Sequence, residues 1–358
     1  MALHKVVTIN AGSRKYPVEI GTDNLWETEF RRFGHRRAAI VTDSNVSQTV
    51  AFQTLEDMLR DYGLQPVVIS FEAGEKSKTL ATVDYIMGQL SRAKLDENTL
   101  LIAAGGGVVG DITGLAAYLY LRKKLDYVQV PTTLLAMTDS SIGGKTGFDV
   151  RGVKNIGGVI HQPLAVIVDT IFLETLPKQQ ILYGMAEPLK MAMTMDADFF
   201  SYLEMAAEFD NAFYVEVIRR SAQLKGHIVE LDEQDSGERH ILNYGHTIGQ
   251  ALEALHSYRM HHGAADYFGM QREGLLSCLS GHFPRQDLER QNNLIRKLGF
   301  SREYHPNLQR LYEKMRQDKK SINGEPQFIM PTGVGSVRRE GGRVAFPAEK
   351  SLVMAALS

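Results

Sequence analysis

The chain has one cysteine, Cys278, one tryptophan and almost no net charge, with 40 Lys and Arg against 42 Asp and Glu over 358 residues. A lone cysteine excludes an internal disulfide framework and a cysteine-based zinc site, so any metal must be held by His, Asp or Glu. A formal charge of -2 excludes a global basic field that would draw the protein to nucleic acid or an anionic membrane, while leaving room for a local cationic pocket. No window reaches the roughly 18 uncharged apolar residues that a spanning helix needs, and Met1 to Lys5 has no hydrophobic signal core. These absences predict a cytoplasmic protein without membrane or nucleic-acid partners. Internal repeats and low-complexity stretches are also missing, which argues against a solenoid or a disordered scaffold.

The length predicts two domains, each with its own core. In the first half, short β-rich runs (Ala38 to Thr42, Pro66 to Phe71, Thr99 to Ala104, Tyr127 to Val130, Ala165 to Val168) alternate with helical patterns. Such alternation predicts an α/β, Rossmann-like domain with a mostly parallel sheet. After Leu176-Pro177 the long helical stretches Phe199 to Glu208, Phe213 to Asp232 and Gln286 to Leu298 take over, and only Gln327 to Met330 reads as strand. The expected division is an α/β domain over 1–177 and a mainly α-helical domain over 178–358.

The strand at Thr99 to Ala104 runs into Gly105-Gly106-Gly107-Val108-Val109-Gly110-Asp111, where Gly105, Gly107 and Gly110 have the G-x-G-x-x-G spacing. Glycines let a backbone approach a pyrophosphate and a following helix N-terminus supplies free N–H groups, though the same run also makes a tight structural turn. Thr42 to Asn45 and Gly74 to Lys78 place polar residues at other strand ends, where open α/β sheets bind ligands. A second polar loop, Asp139-Ser140-Ser141-Ile142-Gly143-Gly144-Lys145-Thr146-Gly147, followed by Lys154-Asn155, suits an anion as well as a hydrophilic turn. It is not a Walker loop, because Asp139 stands where that motif needs glycine. In the helical half, Glu187, His246 and His262 offer two imidazoles and a carboxylate, a donor set suited to an open catalytic zinc site.

Together, Gly105 to Asp111, Pro131 to Leu135, Asp139 to Gly147, Lys154-Asn155, Leu173 to Pro177, Ala186-Glu187 with Lys190, Arg239 with Leu242 to Thr247, and His262-Gly263 resemble the 3-dehydroquinate synthase family of sugar phosphate cyclases, in order and spacing across most of the chain. The resemblance implies an NAD site lined by Asp43, Asn45, Glu75, Lys78, Gly106, Gly107, Val108, Asp111, Thr132, Thr133, Leu135, Lys154, Phe172, Thr175 and Leu176. It implies that Glu187, His246 and His262 hold zinc, or another divalent ion such as cobalt. It further implies a sugar phosphate surrounded by Asp139, Lys145, Lys154, Asn155, Lys190, Lys225, Arg239, Asn243 and Gln250, with Lys319 or Lys320 as a further contact. Arg122 would reach the phosphate from the partner subunit of a homodimer. The implied reaction converts 3-deoxy-D-arabino-heptulosonate 7-phosphate to 3-dehydroquinate and phosphate by transient oxidation with NAD, phosphate elimination, re-reduction and intramolecular aldol closure. In it Lys145, Lys190 and Arg239 chiefly bind carboxylate and phosphate.

The chain departs from the family pattern at four positions: Gln250 where a second histidine is usual, Val153 for a glycine, Asp149 for an asparagine and Ala264 for a glutamate. Glutamine hydrogen-bonds phosphate but shuttles no proton near neutral pH. These changes bear on the substrate, so a 2-deoxy-scyllo-inosose or valiolone-type cyclase is the main alternative, ahead of a metal-dependent alcohol or polyol-phosphate dehydrogenase and an inactive NAD-binding regulator. Finally, Pro188 predicts that Glu187 lies at or just before a helix start, because proline is tolerated only in a first turn.

Overall fold

The computed structural model describes residues 3–22, 30, 37–150, 153–257 and 259–358. In chain order the elements are β1 (His4–Asn10), β2 (Lys15–Gly21), β3 (Arg37–Asp43), α1 (Val50–Asp61), β4 (Val67–Phe71), α2 (Leu80–Arg92), β5 (Thr99–Gly105), α3 (Gly107–Leu119), β6 (Tyr127–Pro131), β7 (Lys145–Val150), β8 (Val153–Ile160), β9 (Ala165–Asp169), α4 (Ile171–Glu174) and α5 (Lys178–Gly184). They continue with α6 (Ala186–Met195), α7 (Ala197–Met205), α8 (Asn211–Leu231), α9 (His246–Leu255), α10 (His262–Leu279), α11 (Arg285–Lys297), α12 (Leu308–Arg316), four short strands β10 (Phe328–Ile329), β11 (Pro331–Gly333), β12 (Ser336–Val337) and β13 (Ala345–Phe346), and α13 (Lys350–Leu357). The chain forms two compact units, Met1–Ile181 with Phe209–Glu230, and Leu182–Glu208 with Leu231–Ser358.

Seven strands of the first unit form one sheet in the order β1-β2-β9-β6-β5-β3-β4. Only β1 and β2 pair antiparallel; β2 with β9 and all pairs beyond are parallel. All five expected strands are present to within one residue at either end. Every residue of β5 is buried, as a central strand covered on both faces requires. The chain runs from β3 outward to β4 and returns across β3 to β5. The topological switch, and with it the crevice where such sheets take ligands, therefore lies at the carboxyl ends of β3 and β5. The hairpins β1–β2 and β7–β8 were not expected from the sequence. Only Val7 and Ile9 of β1 and no residue of β8 are buried, and β2, although largely buried, is interrupted by Pro17 and Glu19, so no continuous apolar run marks them.

One helix from the later half of the sequence, α8, belongs mostly to the first unit, so the chain crosses between units again after the region of residue 177. Gly226 permits this: a Cβ there would stand 2.5 Å from Ile9 Cδ1. The second unit is mainly helical, around Ile248, Leu252, Phe268, Leu276, Leu311, Met315, Phe328 and Val353. Helices α9 and α10 approach closely through glycine. A Cβ on Gly249 would stand 2.7 Å from the Ala265 carbonyl oxygen, and one on Gly269 would stand 1.9 Å from that of Gly245. The expected helices at 199–208, 213–232 and 286–298 are α7, α8 and α11, and the expected strand at 327–330 is β10, paired with β13.

Candidate active site

Three helices of the second unit begin at one place. Glu187 is the second residue of α6, His246 the first of α9 and His262 the first of α10. The break at Met185 restarts the chain as α6, which places Pro188 in a first turn, where its missing N–H has no helical partner to lose. Gly245, left-handed at φ 82°, turns the chain into α9. Together these starts bring Glu187, His246 and His262 to a fourth residue, Asp266, one turn into α10, with one potential ligand atom from each within 4.8 Å of the others. His246 Nε2 lies 3.4 Å from Glu187 Oε1 and 3.5 Å from Asp266 Oδ1. The corresponding separations for His262 Nε2 are 3.7 Å to Glu187 and 3.3 Å to Asp266 Oδ2.

Each imidazole is held from behind. His262 Nδ1 lies 3.2 Å from Glu253 Oε2 and His246 Nδ1 3.3 Å from Asn243 Oδ1, which orients both Nε2 atoms toward the carboxylates, as in metal sites whose outer partners fix the tautomer. Lys190, fully buried one turn after Glu187, donates to Glu187 Oε1 at 2.8 Å and approaches His246 Nε2 at 2.6 Å. Burial opposes ionisation of Glu187, but the Lys190 ammonium and the two imidazoles hold its carboxyl well below the usual range. Burial likewise disfavours a charged His262, yet the Asp266 and Glu253 carboxylates raise it well above an ordinary histidine. Two imidazoles tied from behind and two buried carboxylates form a donor set that fits a divalent cation, and the carboxylates outweigh the positive helix N-termini on which they stand.

The first unit carries a second polar assembly. Asp43 ends β3 and Asn45 follows it, Glu75 and Lys78 follow β4, Gly106, Gly107, Val108 and Asp111 follow β5, Thr132, Thr133 and Leu135 follow β6, and Phe172, Thr175 and Leu176 follow β9. Five parallel strands thus deliver all the expected cofactor residues except Lys154 from their carboxyl ends. Lys154 lies on β8, with Nζ 3.9 Å from Glu75 Oε1. Asp43 Oδ1 accepts the N–H groups of Asn45 and Val46. Buried Lys78 bonds Asp111 at 2.6 Å and Asn155 Oδ1 at 2.5 Å; burial acts against its charge, but Asp111 and Glu75 outweigh it and keep the ammonium protonated. The Thr42, Thr132 and Ser140 hydroxyls are buried without hydrogen-bond partners, and α3 opens on Gly106-Gly107. Orphaned hydroxyls beside a free helix N-terminus fit the phosphates and riboses of a dinucleotide. Gly105 and Gly110 serve packing: a Cβ on either would stand 2.4 Å from Val109 or 2.7 Å from Gln129.

Family models described as 3-dehydroquinate synthase N-terminal and C-terminal match residues 68–183 and 184–321. A 3-dehydroquinate synthase of Prochlorococcus marinus (strain MIT 9211) is 41% identical over 345 residues, 92% of either chain. The chain belongs to the 3-dehydroquinate synthase family. Among solved structures, a 2-deoxy-scyllo-inosose synthase complexed with carbaglucose-6-phosphate, NAD+ and Co2+ superimposes with a TM-score of 0.89 at 23% identity, covering 99% of both chains. The 2-epi-5-epi-valiolone synthase of Streptomyces hygroscopicus subsp. jinggangensis 5008, with NAD+ and Zn2+ bound, reaches 0.83 at 25% identity over 94% of both.

Within this 3-dehydroquinate synthase family member, the expected substrate residues fall in both units. In the first, Lys225 on α8 donates to the Asp139 backbone carbonyl at 2.7 Å and to its carboxylate; Asp139 is the fourth residue of a π-helical turn at Ala136–Ser140. Lys145 is exposed at the start of β7, after the left-handed pair Gly143 and Gly144. Asn155, left-handed at φ 52°, is pinned by its N–H to Asp149 Oδ1 at 2.8 Å, which gives Asp149 a structural task. Arg122 is exposed just past the C-terminal end of α3, about 20 Å of helix from the glycine loop. In the second unit, Arg239 is buried and donates to the Glu233 carbonyl at 3.0 Å, Asn243 backs His246, and Lys320 bonds Gln250 and Asp318. Lys319 is exposed. Asp266 and Glu253 were absent from the sequence reading; the only available signal was the four-residue step from His262 to Asp266 at a helix start.

Behind α9, buried Glu273 accepts the N–H groups of Gly245 at 2.9 Å and Ile248 at 3.2 Å. Burial pushes its carboxyl up to about 8, although the two N–H groups act downward. A carboxyl raised above its unfolded value imposes no penalty below the unfolded pKa, and stability is lost as pH rises through the folded value. The unfolding free energy from urea titrations should therefore fall between about pH 5 and about pH 8, by an amount on the order of 2–5 kcal/mol, and Glu273→Gln should flatten that slope. An unchanged slope in the variant would assign the pH dependence elsewhere.

Proposed function

We propose that the chain converts 3-deoxy-D-arabino-heptulosonate 7-phosphate to 3-dehydroquinate and inorganic phosphate, as an NAD- and divalent-metal-dependent cyclase. The observation that carries this reading is the convergence of Glu187, His246 and His262 at three helix starts, in a chain that matches 3-dehydroquinate synthases over nearly its full length. Bound NAD would accept and return a hydride, and a bound divalent ion such as zinc or cobalt would polarise a substrate hydroxyl.

The chain's own groups bind, orient and hold charge. Glu187, His246 and His262 would hold the ion, Glu253 and Asn243 fix the imidazoles, and the residues at the carboxyl ends of β3, β4, β5, β6 and β9 would hold the dinucleotide. Lys225, Lys154, Asn155 and Lys145 in the first unit, and Lys190, Arg239 and Lys320 in the second, would receive carboxylate, phosphate and hydroxyl groups of the substrate. Gln250, fixed by Lys320, acts as a hydrogen-bonding residue without proton transfer. The reading includes a homodimer in which Arg122 serves the neighbouring copy. It also includes a cytoplasmic setting, supported by the single cysteine; no described helix is long and apolar enough to cross a membrane.

A 2-deoxy-scyllo-inosose or valiolone-type reaction is the second reading, favoured by Gln250 and Ala264. The test incubates metal-loaded protein with NAD and the heptulosonate phosphate while following phosphate, NADH and the ring product. Phosphate and 3-dehydroquinate without net NADH are expected. NADH accumulation would make the protein a dehydrogenase, and absence of phosphate release with cofactor bound would move the assignment to another sugar phosphate.

A further inference from the structure

The geometry points to Asp266 as a fourth protein ligand of the cation, so that we infer a site of two histidines and two carboxylates in place of the three-residue set. This inference rests on the proposed metal dependence. Asp266 is fully buried, and neither carboxylate oxygen has a hydrogen-bond partner. A buried carboxylate without hydrogen bonds is costly and calls for a reason. Both oxygens face the cluster: one is 3.5 Å from His246 Nε2, the other 3.3 Å from His262 Nε2 and 3.6 Å from Lys190 Nζ. The same two Nε2 atoms face Glu187 Oε1, so Asp266 and Glu187 are equivalent in their relation to the imidazoles.

Charge supports the same assignment. Three carboxylates, Glu187, Glu253 and Asp266, surround one ammonium, Lys190, and two imidazoles. A divalent ion with both histidines neutral balances that set, whereas removal of Asp266 leaves an excess positive charge in a buried centre. Four protein donors would fill a tetrahedral ion. A site that must also admit a substrate oxygen then selects ions that accept five or six ligands.

The alternative is that Asp266 serves only as a counter-ion to Lys190. The experiment loads the metal-stripped full-length protein with Co2+ and records its visible spectrum and, by chelator competition, its dissociation constant. For Asp266→Asn we expect a Co2+ dissociation constant raised by at least about tenfold and more intense visible bands, as coordination number falls. Asp266→Ser should behave alike, so failure of one variant to fold does not decide the matter. Unchanged affinity and spectrum in a folded variant would overturn the inference while leaving the cyclase reading intact, testable by phosphate release. Absence of Co2+ uptake by the wild-type protein would overturn both.

Discussion

Glu187→Gln is expected to weaken divalent-cation binding by at least about 100-fold and to reduce turnover to background. The amide keeps the size of the side chain but replaces an anion with a neutral group. The anion lost is the one that both imidazoles approach and to which Lys190 donates. Helix α6 starts one residue earlier and does not depend on that charge, so secondary structure should persist. Calorimetric titration of the stripped protein with Zn2+ or Co2+ measures the first effect, and phosphate release the second. A variant that binds the cation with wild-type affinity would remove Glu187 from the ligand set, whatever its activity.

Lys78→Met should be the most damaging single change in the first unit. It deletes the ammonium that joins Asp111 on α3 to Asn155 on β8, leaving a carboxylate without its cation beside Glu75. Breaking a buried pair from one side costs about 3–5 kcal/mol. Asp111 retains 17% side-chain exposure, which places the expected loss near the lower figure. NAD affinity should fall as well, because the Gly74–Lys78 loop and the start of α3 lose their common anchor. Urea denaturation and NAD titration read the two effects separately. Adding Asp111→Asn should recover part of the stability by removing the stranded charge. A loss below about 1 kcal/mol would mean that water solvates the pair.

The alternation of strands and helices was legible because buried parallel strands are written as continuous apolar runs, and β5 and β9 are buried from end to end. The hairpin β7–β8 was not legible: its strands are half exposed, and its turn into β7 depends on two left-handed glycines that also read as an anion loop. Pro188 announced a helix start from local sterics alone. The glycine-rich segment was ambiguous for a physical reason, since Gly105 and Gly110 are demanded by packing against Val109 and Gln129 while Gly106 and Gly107 open the helix N-terminus.

By itself the sequence determined the α/β and helical composition, the absence of cysteine chemistry, and, through motif order, a set of polar residues at strand ends and helix starts. These are properties of short segments, set by backbone sterics and by which side chains tolerate burial. Tertiary structure alone decided that α8 packs with the first unit, that Lys320 rather than Lys319 meets Gln250, and that Asp266 and Glu253 stand with His262. The packing of α8 on β1 and of α9 on α10 depends on close approach, which Gly226, Gly249 and Gly269 allow by leaving no side chain at the contact. Such proximity between distant residues has no periodic trace in the chain.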